Sequence, residues 1–375
     1  MDNLVLYRKY RPRTFAEIAG QEHAVKTITR ALASGKTAHA YLFCGPRGTG
    51  KTTIARLLAK AINCENPKQK FEPCNKCAFC QEINDGRAMD LIEIDAASNR
   101  GIDEIRELRE GIKFSPARLK YKVFIIDEVH MLTREAFNAL LKTLEEPPSH
   151  AIFILATTEI QKVPQTIISR CQRFDFHRLT LEKITERLKF LASEEGIKIE
   201  KEAVELIALN ADGGMRDAES LLGQVMAMED KEITLDEVQT ILGITSQEGV
   251  GEMAELIVKK DLKSALMLAN KISEQGFDLA QFVKALVNYF RKMMILTSLA
   301  QTSEGADFSG PGRKLVAPEL TPEQFKTILE QGKKLSSRDF IKILRALTQA
   351  EYEIKSTILP QLPLELALVE LAEEQ

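Results

Sequence analysis

No stretch of this 375-residue sequence is apolar for the roughly 20 residues that a bilayer-spanning helix requires, so a membrane protein of that kind is excluded. The opening residues, Met1 to Arg8, lack the charged, apolar and cleavage segments of a signal peptide, and a cytoplasmic protein is expected. Charge of one sign is also missing. Lys and Arg total 51 against 54 Asp and Glu, a net charge of -3. A chain that is basic throughout, binding nucleic acid by bulk charge, is thereby excluded, while a local basic surface stays open. No internal repeat or long low-complexity tract interrupts the sequence. Cysteine is scarce, and four of the six fall between positions 64 and 80, which argues for a metal rather than scattered disulfides. What remains is an ordinary globular balance, 28% charged and 44% hydrophobic, in a chain too long for one core. Two or three domains are expected.

The strongest signal is Gly45-Pro46-Arg47-Gly48-Thr49-Gly50-Lys51-Thr52, which matches the phosphate-binding loop G-x-x-x-x-G-K-[ST]. An apolar strand pattern, Tyr41 to Cys44, precedes it, and a helical pattern from Thr52 and Thr53 to Ala59 follows. In that context the glycines let backbone N–H groups cradle phosphate oxygens at a helix N-terminus. Lys51 would reach the β/γ phosphates and Thr52 would offer its hydroxyl to Mg²⁺.

A second apolar run, Tyr121 to Ile126, suits a parallel strand buried on both faces, and it ends in Asp127-Glu128. Asp127 would hold Mg²⁺ and Glu128 would act as general base on the attacking water. His130, close behind, is read as a packing or capping residue. Thr133 is placed as the cap of a helix running from Arg134 to about Glu146, stopped by Pro147-Pro148. Ala151 to Ala156 is a further buried strand ending in Thr157-Thr158. Thr158, further beyond the apolar run, is the preferred γ-phosphate sensor; a hydroxyl that merely satisfies backbone is the alternative. Asp90 to Asp95 reads as a strand, Ser98 to Arg100 as either a ligand-contacting or a plain polar loop, and 102–112 as a helix. Phe174 to Phe176 reads as the last strand, and Cys171 as a buried thiol.

Upstream of the loop, Tyr7 to Arg13 gathers four cations and two aromatics. It suits a nucleic-acid contact, a solvated turn, or the wall of a base pocket in which Tyr7, Arg11, Pro12 and Ala19 lie near an adenine. Cys64, Cys74, Cys77 and Cys80 offer four thiolates at short spacings for a tetrahedral structural Zn²⁺; a redox pair is the runner-up. Beyond Leu181 the patterns are helical, Glu182–Ser193, Glu202–Asn210, Arg216–Met228 and a shorter Thr234–Leu242, and read as a small lid in which Arg216 faces the nucleotide. Further helices are expected at 247–259, 262–275, 277–300, 322–335, 337–355 and 362–374, with an exposed loop at 302–318.

Taken in order, Tyr10-Arg11-Pro12, Gly20-Gln21, the phosphate loop, the four cysteines, Asp127-Glu128-Val129-His130, Ala156-Thr157-Thr158, Ser169-Arg170-Cys171 and Gly214-Met215-Arg216-Asp217 resemble the gamma/tau (DnaX) family of AAA+ clamp-loader ATPases of bacterial DNA polymerase III. The resemblance covers essentially the whole chain, most sharply residues 4–225. It implies an α/β AAA+ P-loop NTPase domain with a parallel sheet at 1–178, carrying a zinc insertion at about 64–80. A helical lid at 179–243 and an all-α collar domain at 244–375 would follow. It also implies Lys51, Thr52, Asp127 and Glu128 as ATP and Mg²⁺ residues, Thr158 as sensor 1, and Arg216 as a sensor 2 arginine acting in cis. Arg170 would be an arginine finger reaching a neighbour's ATP, and the four cysteines zinc ligands. The implied partners are the delta and delta prime subunits, further gamma/tau copies, the sliding clamp and primer-template DNA, with no membrane. Arg100 and Lys142 are weak candidates for DNA contact. The chain ends near the collar, so the helicase and polymerase binding of the longer tau form is not expected. A DExH-type helicase, suggested by Asp127 to His130, and a non-hydrolysing ATP-bound scaffold are the alternatives. The first needs a second RecA-like domain where helices are expected, and the second sits poorly with intact Lys51, Asp127 and Glu128.

Overall fold

A computed structural model of the chain describes residues 5–99, 110–112, 114–227, 232–241, 247–302 and 322–373. The chain divides into two compact units, 1–235 and 236–375. Apart from Thr302, which is helical, the loop expected at 302–318 lies outside the described residues, as do Arg100 and all but the last turn of the helix expected at 102–112; 110–112 are helical.

The first unit is built on a five-stranded parallel sheet. Its strands are β1 (Ala40–Cys44), β2 (Leu91–Asp95), β3 (Lys122–Asp127), β4 (Ala151–Thr157) and β5 (Gln172–Asp175), in the order β2-β3-β4-β1-β5. β1 and β4 are buried at every residue, as strands covered on both faces must be. Alternation divides their side chains between two cores. Tyr41 and Phe43 point with Ile152 and Ile154 towards α2 (Glu22–Ala33) and α3 (Lys51–Asn63), where Ile28, Ile54, Leu57 and Leu58 meet them. Leu42, Phe124 and Phe153 point the other way, against Phe137, Leu140 and Leu144 of α5 (Arg134–Glu145). Phe124 and Phe153 stack with centroids 5.3 Å apart. Full burial of each such side chain contributes about 1.5–3 kcal/mol. This topology and the phosphate loop after β1 make the unit an α/β P-loop module.

Shorter elements surround the sheet: α1 (Leu6–Lys9), α4 (Ala78–Asn84) and α6 (Gln165–Ile168). The hydroxyl of Thr133 caps α5 by accepting from the Ala136 N–H at 3.3 Å. The last strand starts two residues earlier than the Phe174–Phe176 pattern suggests, because Gln172 and Arg173 expose their side chains while their backbones pair with β1. Then come α7 (Leu181–Glu194), α8 (Lys201–Asn210) and α9 (Met215–Met226), packed on one another. A two-residue parallel pair, β6 (Lys198–Ile199) with β7 (Glu232–Ile233), joins them; it is too short to leave a period in the sequence. α10 (Leu235–Ile241) follows and, apart from Leu235, belongs to the second unit.

The described part of the second unit is helical: α11 (Gln247–Lys259), α12 (Leu262–Glu274), α13 (Leu279–Thr302), α14 (Pro322–Gly332), α15 (Ser337–Ile354) and α16 (Leu362–Ala372). Its core gathers Phe282, Phe290, Met293, Leu347 and Leu364. A capping box of Ser336 and Asp339 starts α15.

Candidate nucleotide site and cysteine cluster

Residues 45–50 connect β1 to α3 at the carboxyl edge of the sheet, and Lys51 and Thr52 open the helix. Gly45 has φ 147°, and a Cβ there would collide with the backbone oxygen of Phe176, so only glycine fits. Gly48 has φ 76°, and its carbonyl accepts from the Met215 N–H at 3.0 Å; the start of α9 thus rests on the loop. Lys51 curls into it, 6% exposed, donating to the carbonyls of Gly45 (2.7 Å) and Pro46 (2.8 Å). Burial lowers the pKa of this ammonium, and the carboxylates of Glu128 and Asp127 counter the shift.

The loop is tied to β3 through one bond: the Thr52 hydroxyl donates to Asp127 Oδ2 at 2.7 Å. Two oxygens suited to a hard divalent cation are thereby adjacent. Glu128, at φ 47°, is not the last residue of the strand but the left-handed turn after it. Its carboxylate accepts from the Thr158 N–H (3.1 Å) and the Thr158 hydroxyl (2.9 Å). His130, read from sequence as packing or capping, belongs to the same group. Its side chain is 5% exposed, with Nδ1 3.0 Å from Thr157 Oγ1 and 3.3 Å from Glu128 Oε2, and Nε2 3.3 Å from Glu159 Oε1. A lone histidine after an acidic pair gives no sequence signal for such a contact.

Tyr7, Arg11, Pro12 and Ala19 line one cleft of about 430 Å³ with Arg47, Gly48, Thr49, Gly50, Lys51, Thr52, Thr53, Asp127, Glu128 and, from α9, Arg216. The Arg216 guanidinium stands 4.7 Å from the centre of the Tyr7 ring and draws that phenol's pKa down. Burial, then the neighbouring Arg56, brings Arg11 down to about 10. Two residues that carry no motif complete the far wall. Arg187 pairs with Glu219 at 3.2 Å and donates to the Tyr10 carbonyl at 2.6 Å, and burial raises the Glu219 carboxyl. Gln21, at φ 59°, clasps the base of the loop: its amide donates to the carbonyls of His177 (2.7 Å) and Thr49 (3.4 Å) and accepts from the His177 N–H at 3.1 Å. Ser98 and Asn99 bond back to Asp95 rather than reaching inwards.

Arg170 stands apart from this cleft. Its guanidinium donates to Glu145 (2.6 Å) and to the Thr166 carbonyl (2.7 Å). Burial pushes the neighbouring Cys171 thiol up to about 12, the state of an inert packing thiol.

The sulfurs of Cys64, Cys74, Cys77 and Cys80 all lie within 4.8 Å of one another, an arrangement that can hold a metal ion. A tetrahedral tetrathiolate with bonds of about 2.3 Å has sulfurs about 3.8 Å apart, and Cys74 and Cys80 stand at 4.0 Å. The N–H groups of Lys76 (3.4 Å) and Cys77 (3.3 Å) point at the Cys74 sulfur. Burial opposes ionisation of Cys74, yet these amides and the thiols of Cys64 and Cys77 bring it down to about 6; burial raises Cys80. Among the described residues no helix is long and apolar enough to cross a membrane.

Three family descriptions match the chain in succession: "DNA polymerase III, delta subunit" over residues 20–180, "DNA polymerase III clamp loader subunit, ATPase lid domain" over 183–231, and "DNA polymerase III subunits gamma and tau domain III" over 233–375. DNA polymerase III subunit tau of Bacillus subtilis is 43% identical over 373 residues, 100% of this chain and 64% of that protein. Subunit gamma of Buchnera aphidicola subsp. Schizaphis graminum is 43% identical over 298 residues, covering 80% and 82%. Subunit tau of Escherichia coli K12 is 45% identical over 278 residues, covering 74% and 43%. The chain therefore spans less than two thirds of the length of these tau relatives.

Proposed function

Given that this chain belongs to the gamma/tau family of DNA polymerase III subunits, we propose that it is an ATP-hydrolysing motor subunit of a clamp loader. In this reading it works in the cytoplasm with delta, delta prime and further gamma/tau copies, and places a sliding clamp on primer-template DNA. The observation that carries the proposal is the joining of three separate segments in one cleft: the phosphate loop, Asp127-Glu128 bonded to Thr52 and Thr158, and Arg216 from the helical layer.

The loop amides and Lys51 would bind the phosphates, with the base towards Tyr7, Arg11, Pro12 and Ala19. Gly45, Pro46, Arg47, Gly48, Thr49 and Gly50 shape the cradle, and Thr53 flanks it. Thr52 and Asp127 are the fitting ligands for Mg²⁺, which when bound supplies charge neutralisation to the β/γ phosphates. Glu128 accepts the proton of the attacking water, and Thr158 orients it as sensor 1. Arg216 steadies the phosphates from the same chain. Arg170, which does not line its own cleft, is the finger for a neighbour's ATP, a contribution of about 10³–10⁵ in rate. Hydrolysis would then wait for assembly, and its completion would release the loaded clamp. Cys64, Cys74, Cys77 and Cys80 would hold Zn²⁺, closed by four protein ligands and hence structural.

The test is ATP turnover with and without sliding clamp and primer-template DNA. Stimulation by both together is expected. Strand separation would instead favour a DExH-type helicase, and absence of turnover a scaffold for which ATP is only a ligand.

A further inference from the structure

The cysteine loop does more than surround four sulfurs: it grips the segment that leads into the nucleotide cleft. Between Cys64 and Cys74 the chain makes a tight turn with Gln69 and Lys70 at positive φ, closed by paired backbone bonds between Lys68 and Glu72 at 2.7 and 2.8 Å. The turn presents the Glu72 carboxylate to the N–H groups of Phe15 (2.9 Å) and Ala16 (3.0 Å), both at the start of the single helical turn Phe15–Glu17. Asn75, between two of the cysteines, donates to the Arg13 carbonyl at 3.0 Å. Lys60 of α3, 2% exposed, spreads its ammonium over the Arg13 carbonyl (3.2 Å), Asn84 Oδ1 (2.7 Å) and Asn75 Oδ1. The backbone at 13–16 is thus fixed by the cysteine loop and its buried lysine. Arg11 and Pro12 on one side of that stretch, and Glu17, Ile18 and Ala19 on the other, line the cleft.

We infer that the cysteine loop is a positioning element of the nucleotide cleft, with Glu72 and Asn75 holding the base-side wall in its binding conformation. The inference rests on the cleft being the ATP site and the cysteines a zinc site. The phosphate loop shares none of these bonds, so the effect should fall on the base and spare the phosphates. An ordered carboxylate-to-amide contact replaces ordering that the nucleotide would otherwise have to impose on residues 11–19.

The experiment compares ATP and inorganic tripolyphosphate binding to the full chain, as wild type, Glu72→Ala, Glu72→Gln and Asn75→Ala, alongside zinc content and amide hydrogen exchange. Glu72→Ala is expected to weaken ATP by roughly tenfold, leave tripolyphosphate within about twofold, retain zinc, and speed exchange at Phe15 and Ala16. Glu72→Gln, which keeps an acceptor oxygen, should recover part of the ATP affinity, and Asn75→Ala should resemble Glu72→Ala in kind. Equal loss of ATP and tripolyphosphate, or unchanged ATP affinity in both alanine variants, would overturn the inference while leaving the ATP site standing. Failure of the wild type to bind ATP would overturn the site reading, and the inference with it.

Discussion

Thr158 holds Glu128 by two bonds to one carboxylate oxygen, from its N–H at 3.1 Å and its hydroxyl at 2.9 Å. The residue proposed to sense the γ-phosphate therefore also sets where the proposed general base points. Glu128→Gln should bind ATP normally and lose about 10²–10⁴ in turnover, the usual worth of a positioned base. Thr158→Ala should lose less, because its N–H still donates, and Thr158→Ser should recover most of the rate. Equilibrium binding and single-turnover hydrolysis, measured on the same samples, separate the two effects.

Lys51 bridges two loop carbonyls from inside the cradle that phosphates would fill. ATP at about a hundred times its dissociation constant should raise the unfolding free energy of the wild type by about 2.7 kcal/mol. Lys51→Ala should show no such increment at the same ATP concentration. Thermal melts with and without nucleotide read this directly. An equal shift in the variant would remove Lys51 from the binding role.

The four cysteines crowd their sulfurs next to α3, whose Lys60 is buried. Chelation should cost several kcal/mol of stability in the first unit, since metal affinity at such a site is folding free energy. Replacing Cys77 by Ala should have the same consequence, and added zinc should restore only the chelated wild type. Denaturant unfolding with zinc quantified in parallel gives the answer; insensitivity to chelation would argue for free thiols.

Much of this architecture is written in local patterns. β1 and β4 are apolar at every position, as their burial on two faces demands, and the glycines at 45, 48 and 50 take conformations that positive φ requires. The pairing of Thr52 with Asp127 follows from a parallel sheet that brings the ends of β1 and β3 to one edge. What stayed hidden depends on contacts between distant segments. Gln21 reaches His177, Glu72 reaches Phe15, and Arg187 finds Glu219; none leaves a periodicity or a local spacing. For His130, which the sequence suggests as packing or capping, two of the three partners, Thr157 and Glu159, come from the end of the next strand.

The proposed site is composite: Lys51 of one copy and Arg170 of the next act on a single ATP. Arg170→Ala alone should keep ATP affinity and lose its stimulated turnover; Lys51→Ala alone should be inactive through lost binding. The most direct measurement is the ATPase rate of a one-to-one mixture of these two variants, with co-assembly verified by sizing. Turnover is expected to return in the mixture, because a copy with an intact Lys51 can meet a neighbour with an intact Arg170. A co-assembled mixture as inactive as its components, or an Arg170→Ala chain that hydrolyses ATP at the full wild-type rate, would contradict it.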